Sequence, residues 1–135
     1  SLIHIARQNG KAVAAIIPVT APDGYAGKIE LRVGVNSDGS IAAVRVLAHD
    51  ETPGLGDRIE LEHSDWLLGF NGRSLGNTAV DGWAVRKDGG EFDQFTGATI
   101  TPRAVVAAVA RALHFAQANR AKLFGETGPP PTGSD

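Results

Sequence analysis

Asn9-Gly10 stands between two apolar runs, "LIHIA" and "AVAAIIPV", and no other pair of residues constrains the fold as tightly. A two-residue hairpin loop whose twist suits its strands needs positive φ at both positions, which Asn and Gly tolerate. The flanking runs are therefore predicted to pair as antiparallel strands. "APDGYAG" follows, and its Pro22, Gly24 and Gly27 predict an ordered loop. In "KIELRVGV", Ile29, Leu31, Val33 and Val35 fall at every second position, the period of a half-buried strand. "NSDGS" supplies a turn, and "IAAVRVLAHD" a fourth strand opened by Ile41 and carrying Val44 and Val46. Four strands on short turns predict an antiparallel meander.

After Asp50 the texture changes. "ETPGLGD" is a Pro/Gly loop, and "RIELEHSDWLLGF" predicts one or two short helices, with Ser64 as an N-cap. "NGRSLGNTAVDG" reads as loop, and "WAVRKDGGEFDQF" as a short strand followed by a turn. From Pro102 to about Asn119, Val105, Val106, Val109, Ala112, Leu113 and Ala116 recur at helical spacing. Thr101 is placed as the cap of that helix and Pro102 as its first residue. The fold class is α+β: an antiparallel meander with short helices and a long C-terminal helix. One domain is expected over residues 1–121, with 122–135 a disordered polar tail rich in Pro and Gly.

Composition narrows the function. There is no cysteine, which removes disulfides, thiolate nucleophiles and thiolate metal sites together. A net charge of -2 and the lack of a basic run interleaved with aromatics argue against a nucleic-acid partner. No apolar run approaches the roughly 20 residues of a membrane-spanning helix, and no signal-peptide pattern is present. The chain opens abruptly inside a predicted strand, as expected of a piece of a longer protein.

The segment "DQFTGATITP" holds the densest chemistry: Thr96, Thr99 and Thr101 within six residues, ahead of a helix. A cap needs one hydroxyl. The simplest reading makes Thr101 the cap, Thr96 a turn residue and Thr99 a surface residue. The alternative is an anion site, since first-turn amides have no intrahelical partner and face the positive end of the helix dipole. Gly97 permits close backbone approach and Ala98 adds little bulk. Neither a Walker loop nor a dinucleotide fingerprint occurs, so the residues alone reach as far as a possible phosphate site.

Asp93, Thr96, Gly97, Ala98 and Thr99 match, position for position, the flavinylation motif of the FMN-binding domain family, which the segment resembles. In that family the last Thr is esterified to the phosphate of FMN by a separate flavin transferase with FAD as donor. The resemblance thus implies covalent FMN on Thr99. "APDGYAGKIELRVGV", "HDETPGLGDRIE" and "WAVRKDGGEFDQFTGATITPRAVVAAV" extend it from about Ile5 to Ala118. Over that span the chain resembles the G subunits of Rnf (Rsx) electron-transport complexes and, more distantly, the C subunits of sodium-pumping NADH:quinone reductases. That likeness implies an electron carrier in an ion-translocating complex of the bacterial inner membrane. It also implies a soluble domain on the periplasmic side, other subunits as partners, and an N-terminal membrane helix that this sequence lacks.

The remaining candidates follow from both readings. Glu51, Thr52, Leu55 and Gly56 are expected to form a flavin-site wall, their backbone on the ring's polar edge and Leu55 over its face; otherwise they form an ordinary connection. Lys87, beside Asp88, is placed near the flavin phosphate or pyrimidine edge, where a cation stabilises reduced flavin; otherwise the pair is a solvated turn. Ile100 and Thr101 would contribute helix-terminal amides. Tyr25 is placed as a flavin neighbour and Trp83 in the core. His49, Asp50 and Glu51 suggest a metal or acid/base cluster, but consecutive strand residues face opposite sides. His4, His63 and His114 lack ligand spacing. Two rivals to the carrier remain: a reversible phospho-ligand module, and a hydrolase built on His49, Asp50 and Glu51.

Overall fold

The computed structural model describes residues 2–125. Four strands form one antiparallel sheet in sequence order: β1 (His4–Gln8), β2 (Lys11–Gly24), β3 (Gly27–Asn36) and β4 (Ile41–Ala48). The first turn is the predicted one. Gln8 pairs with Lys11, and Asn9 and Gly10 take φ of 54° and 77°. Ile29, Leu31, Val33 and Val35 all point into the core, as their alternation requires.

"APDGYAG" is not the loop expected from its Pro and Gly content. β2 runs through it to Gly24, which pairs with Gly27, so Tyr25 and Ala26 alone form a hairpin tip. An irregularity between Ala21 and Gly24 takes up Pro22, which has no N–H to give a ladder. A Cβ on Gly24 would lie 2.4 Å from Gly27 O, so this tip requires glycine.

Between β4 and the long helix the chain makes 3-10 turns only: Gly56–Ile59, Trp66–Phe70, Val80–Gly82 and Arg86–Asp88. The N-cap of the turn at Trp66–Phe70 is Asp65, not the expected Ser64, and it makes no side-chain capping bond; Ser64 Oγ, one residue earlier, accepts Trp66 N–H at 3.1 Å. The strand predicted in "WAVRKDGGEFDQF" is absent; a single bridge joins Val85 to Phe92. The double glycine forces a fold-back there, and a Cβ on Gly90 would sit 1.9 Å from Ala84 O.

Helix α1 (Ile100–Ala118) covers one face of the sheet, chiefly β2. Its predicted stripe, Val105 to Ala116, is buried. It starts earlier than expected. Thr99 is the N-cap position, and Thr101 lies inside the helix with its hydroxyl used elsewhere. A second helix, α2 (Arg120–Phe124), buries Leu123 and Phe124, carrying the fold beyond the boundary drawn at residue 121. Of the predicted tail, residues 126–135 lie outside the described residues.

Candidate functional site

One cleft brings together three separated pieces of chain: the β2–β3 hairpin tip, the loop after β4, and the threonine segment leading into α1. It encloses about 270 Å³ and is lined by Tyr25, by Thr52, Leu55 and Gly56, and by Gly97 through Thr101. Thr99 is half-buried there and makes no capping hydrogen bond. Around it stand three large apolar side chains in solvent: Tyr25 is 69% exposed, Leu55 40% and Ile100 45%. Apolar surface gathered round one polar group marks a place for a ligand with a flat apolar body and a polar end.

Glu51 holds the walls in register. It is 4% exposed, so its carboxylate must find donors. It accepts from Tyr25 N–H at 3.0 Å and Ala26 N–H at 2.8 Å, and from Thr101 Oγ1–H at 2.5 Å. The same side chain thereby ties the hairpin tip to the first turn of α1. Gly56 packs against that bond: a Cβ there would lie 2.7 Å from Thr101 Oγ1 and 2.9 Å from Glu51 Cβ. Leu55 and Gly56 N–H both return to Thr52 O, and Gly54 N–H donates to Asp57 Oδ1 at 3.0 Å.

His49 fixes the approach to Glu51. Its Nδ1 accepts Glu51 N–H at 2.9 Å, which leaves the ring proton on Nε2, 2.5 Å from Glu60 Oε2. The side chains of His49 and Glu51 are thus engaged by different partners. His49, Asp50 and Glu51 do not converge on one centre, and the described residues contain no group of three His, Asp or Glu side chains fit for a metal.

The motif is braced from behind. Asp93 is exposed; its carboxylate accepts from Arg86 Nε–H at 2.7 Å, and its carbonyl from Trp66 Nε1–H at 2.8 Å. Trp66 meets Phe95 edge to face at 5.1 Å. Gln94 Oε1 accepts Lys87 N–H at 3.1 Å. Gly97 takes φ of +76°, open to glycine at no cost. Asp88 forms a two-pronged pair with Arg103 of α1 at 2.7 and 2.9 Å. Hydrogen bonding from Arg103 holds the Asp88 carboxyl below its ordinary range and raises Arg103 in turn.

Of the residues predicted from sequence, Tyr25, Thr52, Leu55, Gly56, Gly97, Ala98, Thr99, Ile100 and Thr101 meet at the cleft. Glu51, Thr96, Lys87, Asp88 and Asp93 are not among its lining residues. Glu51 stands behind the wall, Asp88 and Asp93 are taken up in ion pairs, and Thr96 is exposed. Trp66 and Arg103 brace the site and were missed, because neither partner is marked by sequence proximity.

A profile of the FMN-binding domain matches residues 24–114, which contain every element of the cleft. The chain is 60% identical over 121 residues to the G subunit of the ion-translocating oxidoreductase complex of Pseudomonas aeruginosa, covering 90% of this chain and 56% of that protein. The corresponding G subunits of Escherichia coli and Vibrio cholerae are 55% and 52% identical, over 90% and 93% of this chain and 59% and 60% of theirs. The chain therefore spans a little over half the length of these curated relatives. Its fold is similar to the crystal structure of NqrC from Shewanella oneidensis, with a TM-score of 0.62 and 27% identity over 82% of this chain and 54% of that one. The cleft, the profile and these relatives agree, and the chain belongs to the FMN-binding domain family.

Proposed function

We propose that this chain is the flavin-bearing domain of an electron-transfer subunit in an ion-translocating membrane complex, with FMN held by a phosphoester to Thr99 Oγ1. The observation that carries the reading is the cleft itself. An uncommitted hydroxyl lies at the mouth of a helix N-terminus, within an apolar collar of Tyr25, Leu55 and Ile100.

FMN fits this donor set. The first-turn amides of α1 have no intrahelical carbonyl to bond and face the positive dipole end, where a phosphate is stabilised. Glu51 stays bonded to Tyr25, Ala26 and Thr101, so its carboxylate is satisfied by three donors of the chain itself. When bound, the isoalloxazine accepts and returns electrons. The chain would orient it, with Leu55 covering one face and an edge left open for exchange. No general acid or base is required.

A flavin transferase would attach the cofactor. Thr99 Oγ1 forms the new O–P bond as the pyrophosphate of FAD breaks; AMP leaves and the hydroxyl proton is released. Attachment suits a domain on the periplasmic side of the bacterial inner membrane, where lost FMN is not readily replaced. An N-terminal helix of the whole protein would anchor it; no helix among the described residues is long and apolar enough to cross a membrane.

The test is in-gel flavin fluorescence after co-expression with the transferase. Thr99→Ala should lose the signal and stay folded, while Thr99→Ser keeps it. Retained fluorescence in Thr99→Ala contradicts the assignment. Flavin that binds the native chain but washes off on denaturation supports a reversible module in its place.

A further inference from the structure

The His49 ring has one nitrogen left for a proton, and that nitrogen is already in use. Nε2 donates to Glu60 Oε2 at 2.5 Å, and Nδ1 accepts Glu51 N–H at 2.9 Å. The acceptor lies two residues before the donor, as in an Asx turn with imidazole in place of the Asn side chain. A proton added to the ring must therefore go to Nδ1. Glu51 N–H would then face an N–H instead of a lone pair, and their bond is lost.

Glu51 is the residue through which that loss reaches the cleft. Its carboxylate accepts from Tyr25 N–H, Ala26 N–H and Thr101 Oγ1–H, so a shift of its backbone disturbs all three bonds. Gly56 backs so closely onto Glu51 that a Cβ there would lie 2.9 Å from Glu51 Cβ, which leaves little room on that side. The proton has a route in. His49 lines a groove of about 410 Å³ with Arg45, Glu60 and Glu62, and its side chain is 11% exposed. The charged groups around the ring are Glu60, bonded to it; Arg45 and Glu62 in the groove; and Asp50, next in the chain and exposed. His63 stands behind Glu60, 3.6 Å from Glu60 Oε1 and 3.7 Å from Asp57 Oδ2. Histidine is the side chain that changes charge between about pH 5 and 8.

We propose that His49 is a positioning residue whose protonation at Nδ1 loosens the cleft. The neutral ring fixes Glu51, and Glu51 holds the β2–β3 tip against the first turn of α1. As pH falls the ring gains a proton, Glu51 N–H loses its acceptor, and the tip loosens from the helix. The cleft thereby responds to pH through a residue that does not line it. The step involves the walls alone, so it requires no bound flavin.

The test is NMR on the isotope-labelled chain between about pH 8 and 5. The His49 ring signals should report Nδ1 unprotonated at the upper end and protonated at the lower. The Glu51 amide signal should move with the same midpoint. Exchange protection at Tyr25 and Ala26 should fall roughly two- to tenfold, the range for one lost hydrogen bond, while the amides of β3 hold theirs. His49→Asn keeps an acceptor two residues before Glu51 but cannot titrate, so its protection should stay high throughout. His49→Ala should be loose at both ends, and His63→Gln, at an exposed position, should behave as wild type. Wild-type protection that ignores pH overturns the proposal. So does a pH response that persists in His49→Asn, which assigns it to the Glu51 carboxylate, or one that vanishes in His63→Gln, which assigns it to His63.

Discussion

The sheet and the stretch from His49 to Thr99 are held together by different means. In the sheet, neighbouring strands share backbone ladders, and one row of side chains, Ile29, Leu31, Val33 and Val35, fills the core. The stretch after β4 contains neither a strand nor an α-helix. It is held by side chains reaching far along the chain: Glu51 to Thr101, Trp66 to Asp93, Arg73 to Glu91, Asp88 to Arg103. Aromatic rings bind it further, Trp83 on Phe92, Phe92 on Phe70, Phe70 on Trp66 and Trp66 on Phe95, with centroids 4.9–5.3 Å apart. The periodic part makes a rigid platform. The aperiodic part, freed from ladder geometry, shapes the cleft around Thr99.

Breaking each region should leave a different signature. Leu31→Ala empties a fully buried position in the central hairpin and should cost about 2–5 kcal/mol in urea unfolding, leaving the native cleft unaltered. A cost below about 1 kcal/mol would mean the sheet is not the platform. Gly56→Ala drives a methyl into the Thr101–Glu51 contact and should cost about 1–3 kcal/mol while also impairing flavin retention. An unchanged yield of flavin would detach the loop from the site. Glu51→Gln replaces an acceptor oxygen by a donor and should cost about 1–3 kcal/mol. Its sharper mark is faster hydrogen exchange at Tyr25 and Ala26, with the amides of β3 unaffected; uniform acceleration would show that the two regions open together.

The smallest effect belongs to Asp88. Its carboxyl is held below the ordinary range by Arg103, so the pair contributes above the unfolded carboxyl's range and is lost as pH falls through the lowered value. Because the pair is exposed, Asp88→Asn should change neutral stability little and flatten the acid limb slightly. A large loss at neutral pH would make the pair a structural member of the site.

The platform was legible because its signals are local. Asn9-Gly10, the alternation of β3 and the apolar stripe of α1 each act within a few residues. The errors share one cause, contacts made across the chain. Pro22 marked a loop until an irregularity in the β2–β3 ladder absorbed it. Thr101 looked like a cap, but Glu51, fifty residues earlier, takes its hydroxyl. The stretch "ETPGLG" gives Glu51 a backbone role at the wall, but the brace its buried carboxylate makes to Tyr25, Ala26 and Thr101 lies outside that stretch. Residues 97–101 needed no long-range information to be placed together, since their site is continuous in sequence.

The central claim rests on Thr99, and intact mass of the denatured chain tests it most directly, with and without co-expressed flavin transferase. The account predicts an increase equal to FMN minus water in the transferase sample alone, carried by the peptide containing Thr99. An unmodified mass beside a flavinylated control substrate, or an increment on another residue, would contradict it.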